Sequence, residues 1–158
     1  MPNADDHARI AALVHDYLAA RYRCGCGGQW HDIAIGAPAP EVERCFATTA
    51  QFGLLSAWNP MSHRRPGSEN EAADDALRAA LAETGNAACR SLASAPDGGW
   101  EEPGWLVPGL APAALDALAR RFGQLGVLHW RRGEPVRLRI LHPRPAGWRG
   151  PALVDWVE

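Results

Sequence analysis

Lysine is absent from this chain of 158 residues, so arginine supplies every formal cation. That excludes Schiff-base chemistry, pyridoxal phosphate anchoring, the phosphate-binding-loop lysine and Ser-Lys nucleophiles. Long apolar runs are also absent: none approaches the roughly 20 residues that cross a bilayer, and the opening MPNADDHARI is acidic rather than basic and then apolar. A soluble cytoplasmic protein with no membrane partner is expected. Cysteine is sparse, limited to Cys24, Cys26, Cys45 and Cys89, which is too few for a disulfide scaffold at this length. Free thiols are the expectation. Zinc-binding cysteine pairs are usually separated by about two to four residues, whereas Cys24-Gly25-Cys26 is separated by a single glycine. His31 with Cys45 or His15 would have to complete such a set, and no second pair follows at ligand spacing, so no metal and no cofactor is expected. The G-x-S-x-G elbow is missing too, and the neighbours Ser62 and His63 are adjacent in sequence without being a triad. No catalytic residue is assigned.

What is present is a chain with 47% apolar residues, enough for a packed core. The length prior favours one domain over residues 1–158, with a core at about 30–141 and an irregular tail, 142–158, packed on the body. Net charge is −2 but unevenly spread: Arg120, Arg121, Arg131, Arg132, Arg137, Arg139, Arg144 and Arg149 face Glu134 as the sole acid in their stretch. Such a cluster marks either an anionic partner such as nucleic acid or a surface that pairs internally with the acidic remainder.

Apolar spacing gives a first helix over residues 5–21, with Ile10, Leu13, Val14, Tyr17 and Leu18 inward and Asp5 or Asp6 as its cap. The glycine-rich RCGCGGQW reads as a turn into a short strand at 31–35, and a short helix over 41–48 follows, with Val42, Cys45 and Phe46 inward. Residues 52–58 are a near-continuous apolar run of the kind found in a central strand, stopped by Asn59-Pro60. A polar loop with Arg64 and Arg65 leads to Ser68-Glu69-Asn70-Glu71, read as a capping box for a helix over 72–84 with Ala73, Leu77, Ala80 and Leu81 inward. Strands at 88–93 and 105–107, a helix opened by Pro112 with Leu115, Leu118, Ala119 and Phe122 on one face, and a hairpin of 125–130 with 136–141 complete the body. From residue 52 the order is strand, helix, two strands, helix, strand. The expected class is α+β, a ferredoxin-like split βαβ unit with a mainly antiparallel sheet and helices on one face, extended by an amino-terminal helix and strand and a carboxy-terminal hairpin and tail.

The phrases LLSAWNP, SEN at a helix start, WEEPGWLVPGL and RRFGQLGVLHW occur in that order. With this spacing the chain resembles the bacterial domain of unknown function 3293 family over roughly residues 30–140. The resemblance implies a small bacterial protein and assigns no catalytic residue. It places the motif polar residues at Asn59, Ser68, Glu69, Asn70, Glu102 and Gln124, beside Trp58 and Trp100. The SHRRPG loop and the tail after Leu141 depart from the family pattern.

Those residues sit at element boundaries, where ligands are commonly held. The expected site for a small polar or anionic ligand is therefore Asn59, Ser68, Glu69, Asn70, Trp100, Glu102 and Gln124, with Trp58 or Trp100 as a wall, and hydrolase and transferase are the reaction classes open to it. Helix-start amides would favour an anion, Arg64 and Arg65 could close over it, and Glu102 against an indole could act as acid or base. The opposing reading is structural: an Asx turn at Asn59, a cap at Ser68, solvated arginines and a solvated Glu101-Glu102 pair. Two alternatives of other classes are a nucleic-acid-binding or regulatory protein using the arginine-rich terminal hairpin, and a protein-interaction module using exposed tail tryptophans.

Overall fold

The computed structural model describes residues 2–158. The first helix, α1 (Ala4–Ala19), starts one residue earlier than its acidic run suggests. Asn3, rather than Asp5 or Asp6, is its cap: Asn3 Oδ1 accepts from the Asp6 amide at 2.8 Å, and the Asp6 carboxylate accepts in return from the Asn3 amide. RCGCGGQW is not a turn. Arg21–Cys26 is strand β1, Gly27 and Gly28 make the reversal at φ 59° and 77°, and Gln29–Ile33 is β2. The alternation of Tyr22, Cys24 and Cys26 with Arg21, Arg23 and Gly25 gives β1 one buried face, a period-two signal that outweighs its glycine.

After α2 (Pro40–Arg44) the chain enters β3 (Gln51–Leu55), α3 (Gly67–Glu83), β4 (Cys89–Ser94), β5 (Glu101–Pro108), α4 (Pro112–Arg121), β6 (Gly126–Arg131), β7 (Arg137–Ile140) and β8 (Val154–Trp156). All eight strands join one sheet in the order β2-β1-β4-β5-β3-β6-β7-β8, antiparallel except where β8 pairs parallel with β7. The inner order β4-β5-β3-β6, with α3 and α4 as the crossovers, is consistent with the ferredoxin-like arrangement.

Both faces of the sheet are covered. Gly53, Leu55, Val107 and Val127 face α3 and α4, which contribute Leu77, Leu81, Leu115 and Ala119. Phe52, Leu54, Leu106, Leu128, Trp130, Leu138 and Ile140 face the other way, onto Ile10 and Val14 of α1. The pair Phe52 and Trp130, opposite one another in register, stacks at 5.1 Å and 15°, an arrangement worth about 0.5–1.5 kcal/mol beyond area burial. Gly126 leaves room on the α1 side for the Tyr17 ring, which would lie 3.4 Å from a side chain there.

The tail is more ordered than its proline and glycine content implies. β8 lies in it, and Trp148 is buried, edge-on to Trp156 at 5.3 Å, so the tail tryptophans are packed inward rather than exposed. The arginine cluster is largely committed as well. Arg139 forms a two-pronged ion pair with buried Asp116 of α4, Arg137 does the same with Asp155 of β8, and Arg120, Arg132 and Arg144 donate to backbone carbonyls. Internal pairing therefore accounts for these five. No helix among the described residues is long and apolar enough to cross a membrane.

Candidate functional site

Strand β3 ends at Leu55, three residues before its apolar run stops. The cause lies in β5. Pro103 has no amide proton to donate, and Gly104 sits so close to β3 that a Cβ there would lie 2.5 Å from the Leu55 carbonyl oxygen. Beyond that crossing the two chains part: Ser56 Oγ donates to the Pro103 carbonyl at 2.8 Å and accepts from the Trp58 amide at 2.9 Å.

Asn59 is delivered to the corner so opened at φ 42°, and Met61 and Ser62 follow at 54° and 60°. These are the non-glycine residues with positive φ among the described residues, and left-handed backbone at a non-glycine residue costs of order 1–3 kcal/mol each. The surroundings hold it. Asn59 and Asn70 pair amide to amide: the Asn59 backbone N–H donates to Asn70 Oδ1 at 2.9 Å, and Asn70 Nδ2 donates to Asn59 Oδ1 at 2.9 Å. Arg65 folds inward, with Nε donating to Asn70 Oδ1 at 2.6 Å and its guanidinium donating to the Ala57 carbonyl at 2.7 Å. The Met61 amide donates to the Gly123 carbonyl at 3.0 Å, and Gln124 Nε2 donates to the Trp58 carbonyl at 3.0 Å.

From this corner Asn59 Nδ2 reaches across to Glu102 Oε1 at 3.2 Å, and Trp100 Nε1 donates to the same oxygen at 2.8 Å. Burial raises the Glu102 pKa from the ordinary 4.5, and the donors Trp100 and Asn59 oppose that rise in part. The carboxyl lines a cleft of about 390 Å³ between the second half of α1 and the β4–β5 hairpin, together with Asp16, Tyr17, Tyr22, Ser62, Pro96 and Trp100. Tyr17 is held as the neutral phenol, its pKa pushed up to about 12 by burial and by the Glu102 charge, with Ser62 opposing that rise. The cleft is thus lined by a carboxyl and a phenol, with an indole beside them in its wall. A larger depression of about 780 Å³ between α1 and residues 145–150 has no comparable pair, and its His7 already accepts from the Ala146 amide at 3.0 Å.

Of the residues read from sequence as a site, Asn59, Asn70, Trp100 and Glu102 come together in one network, and Gln124 abuts it through the Trp58 carbonyl. Ser68 and Glu69 are exposed and stand apart from it. The capping box is not formed: the N-cap of α3 is Pro66, whose carbonyl accepts from the Glu69 and Asn70 amides at 3.0 and 3.2 Å. Arg64 lies over the Trp100 ring at 4.3 Å, and the His63 ring is turned to Arg9 rather than to Ser62. Tyr17, Tyr22 and Asp16 also line the cleft, and no sequence motif marks them as site residues. Tyr17 sits on the apolar stripe of α1, where periodicity marks core and gives no sign that it also lines the Glu102 cleft.

A raised folded pKa means that the fold favours the protonated carboxyl. Its stabilising contribution is complete below the unfolded value and is lost as pH rises through the raised one. Glu102→Gln keeps Oε1 as an acceptor for Asn59 and Trp100. The variant is expected to match the parent protein below about pH 4 and to melt at a higher temperature at about pH 8, as thermal scans across that range would show.

Residues 55–127, from the last residue of β3 into β6, match the model of a family described as "Protein of unknown function (DUF3293)". No curated protein and no solved structure matches the chain. The matched stretch contains Asn59, Asn70, Trp100, Glu102 and Gln124, that is, the strained corner and the carboxyl it presents, but not the α1 wall of the cleft. Over that stretch, the chain is similar to the DUF3293 family.

Proposed function

We propose that the protein binds a small polar molecule in the cleft between α1 and the β4–β5 hairpin, with Glu102 as acceptor and the Tyr17 hydroxyl as donor. The observation that carries this reading is the Glu102 carboxyl. Both of its side-chain donors, Asn59 and Trp100, fall on Oε1, so Oε2 is left for a group entering the cleft. Asp16 and Glu102 line the cleft and no arginine does, which favours a hydrogen-bond donor such as an amide, amidine or amine over the anion that the helix start suggests. A carboxyl with a raised pKa is also the group a hydrolase or transferase would use as its base. Free thiols at Cys24, Cys26, Cys45 and Cys89 go with the reducing interior of a bacterial cell.

The test is a thermal-shift panel of primary amides, amidines, amines and carboxylates. A ligand present at about 100 times its Kd adds about 2.7 kcal/mol of stability, roughly 5–10 °C for a domain of this size. Donor-bearing compounds should give such shifts, Tyr17→Phe should reduce them and Glu102→Gln should remove them. Shifts confined to carboxylates, or equal in Glu102→Gln and the parent, would overturn the reading.

A further inference from the structure

Away from the Glu102 cleft, the fold assembles the metal-type side chains that their sequence spacing had kept apart. Cys26 ends β1, His31 stands on β2 across the Gly27-Gly28 turn, and Cys45 follows α2 directly. One ligand atom from each lies within 4.8 Å of the other two. Cys24, the partner suggested by sequence adjacency, is not in this group. In a strand, residues two apart share a face, and it is the fold of α2 back onto the hairpin that brings Cys45 rather than Cys24 to Cys26.

We infer that Cys26, His31 and Cys45 form a structural site for a thiophilic divalent cation of the zinc type, which ties the β1–β2 hairpin to α2. Two thiolates and an imidazole are a donor set zinc prefers, and the fourth position falls to water or to the exposed carboxylate of Glu41. The imidazole is already oriented. Its Nε2 lies 3.1 Å from the Cys26 carbonyl, and as the donor there it leaves the lone pair on Nδ1, the backbone bond that metal-ligating histidines commonly make with their second nitrogen. Glu41 Oε2 stands 3.5 Å from that Nδ1.

The two sulphurs are 2.7 Å apart, and a tetrahedron with ~2.3 Å metal–sulphur bonds would set them about 3.8 Å apart. Half-exposed Cys45 can supply that movement. Gly27, at φ 59°, makes the approach possible, since a Cβ there would press on Cys45 Sγ at 3.3 Å. Binding displaces the thiol protons into solvent, two per ion, with the metal taking the place of both.

The experiment uses the full chain, reduced and freed of metal with a chelator, and titrates it with Co²⁺ alone at about pH 8. The expected result is one equivalent of tetrahedral cobalt, seen as thiolate-to-metal charge transfer with intense d–d bands, bleached by Zn²⁺. Zn²⁺ should also raise the melting temperature of the parent and protect Cys26 and Cys45 from alkylation. Cys45→Ser and His31→Ala should lose the bands, and Cys89→Ala should keep them. If a variant fails to fold, the alkylation pattern of the parent decides in its place. Absence of the bands, bands that survive Cys45→Ser, or air oxidation that consumes Cys26 and Cys45 as a disulfide without any cobalt complex in the reduced chain would each overturn the inference.

Discussion

Gly104→Ala is expected to destabilise the protein by about 3 kcal/mol or more, a fall of roughly 6–12 °C in melting temperature. A Cβ at Gly104 would meet the Leu55 carbonyl oxygen at 2.5 Å and Ser91 Oγ at 2.9 Å. The first of these is backbone in a central strand, so no side-chain rotation relieves it. β3 would have to separate from β5 at the point where Ser56 turns away to begin the Asn59 corner, and the loss of stability should therefore carry a loss of ligand binding with it. A melting temperature within about 2 °C of the parent would show that the two strands have more freedom here than their close approach implies.

Asn70→Ala should cost about 3 kcal/mol, for a different reason. Asn70 is 2% exposed, and its side chain accepts from the Asn59 amide and from Arg65 Nε while donating to Asn59 Oδ1. Truncation orphans the buried Asn59 amide and removes the anchor of Arg65, and it does so where positive φ at Asn59, Met61 and Ser62 already carries strain. Asn70→Asp keeps the acceptor for Asn59 and Arg65 but replaces the Nδ2 donor with an oxygen facing Asn59 Oδ1 and the Arg65 carbonyl, so it should recover only part of the stability. Chemical denaturation of the two variants separates the cases. Equal losses would mean that the Nδ2 donation to Asn59, which both variants lack, and not the Oδ1 acceptor, is what Asn70 supplies.

These two residues show what the sequence could and could not convey. Pro103 and Gly104 stand just before the strand expected at 105–107 and fall inside the observed β5, and the reason for the glycine is the Leu55 carbonyl, nearly fifty residues away in the chain. Asn70 stood out as a polar residue at a helix start. Its place on the buried stripe Asn70, Asp74, Leu77 and Leu81 makes it an anchor, with Asp74 doing the same for Arg90 and Trp105. Local pattern located the central strand, α1, α4 and the terminal hairpin, because there the apolar period and the packing agree. It failed at β1, where glycine disguised an alternating strand, and at the cap of α3, where a backbone carbonyl replaced the side chain. Half of the cleft was legible, since Trp100 and Glu102 lie on a recognisable motif. The other half was not: Tyr17 and Asp16 reach it only because α1 crosses the far face of the sheet.

Glu102 reverses the logic of Asn70. The corner residues serve stability, whereas the carboxyl they hold is expected to be less stable at high pH than its neutral amide, and a group kept at that disadvantage inside a cleft supports the proposed binding role. The most direct measurement is the Trp100 indole N–H, which donates to Glu102 Oε1 and reports on that oxygen by proton–nitrogen correlation spectroscopy. On titration with the amides, amidines and amines of the panel, the Trp100 signal should shift in a saturable way in the parent protein and stay fixed in Glu102→Gln. A Trp100 signal that no compound moves, or that moves equally in both proteins, would contradict the assignment of this cleft as the site.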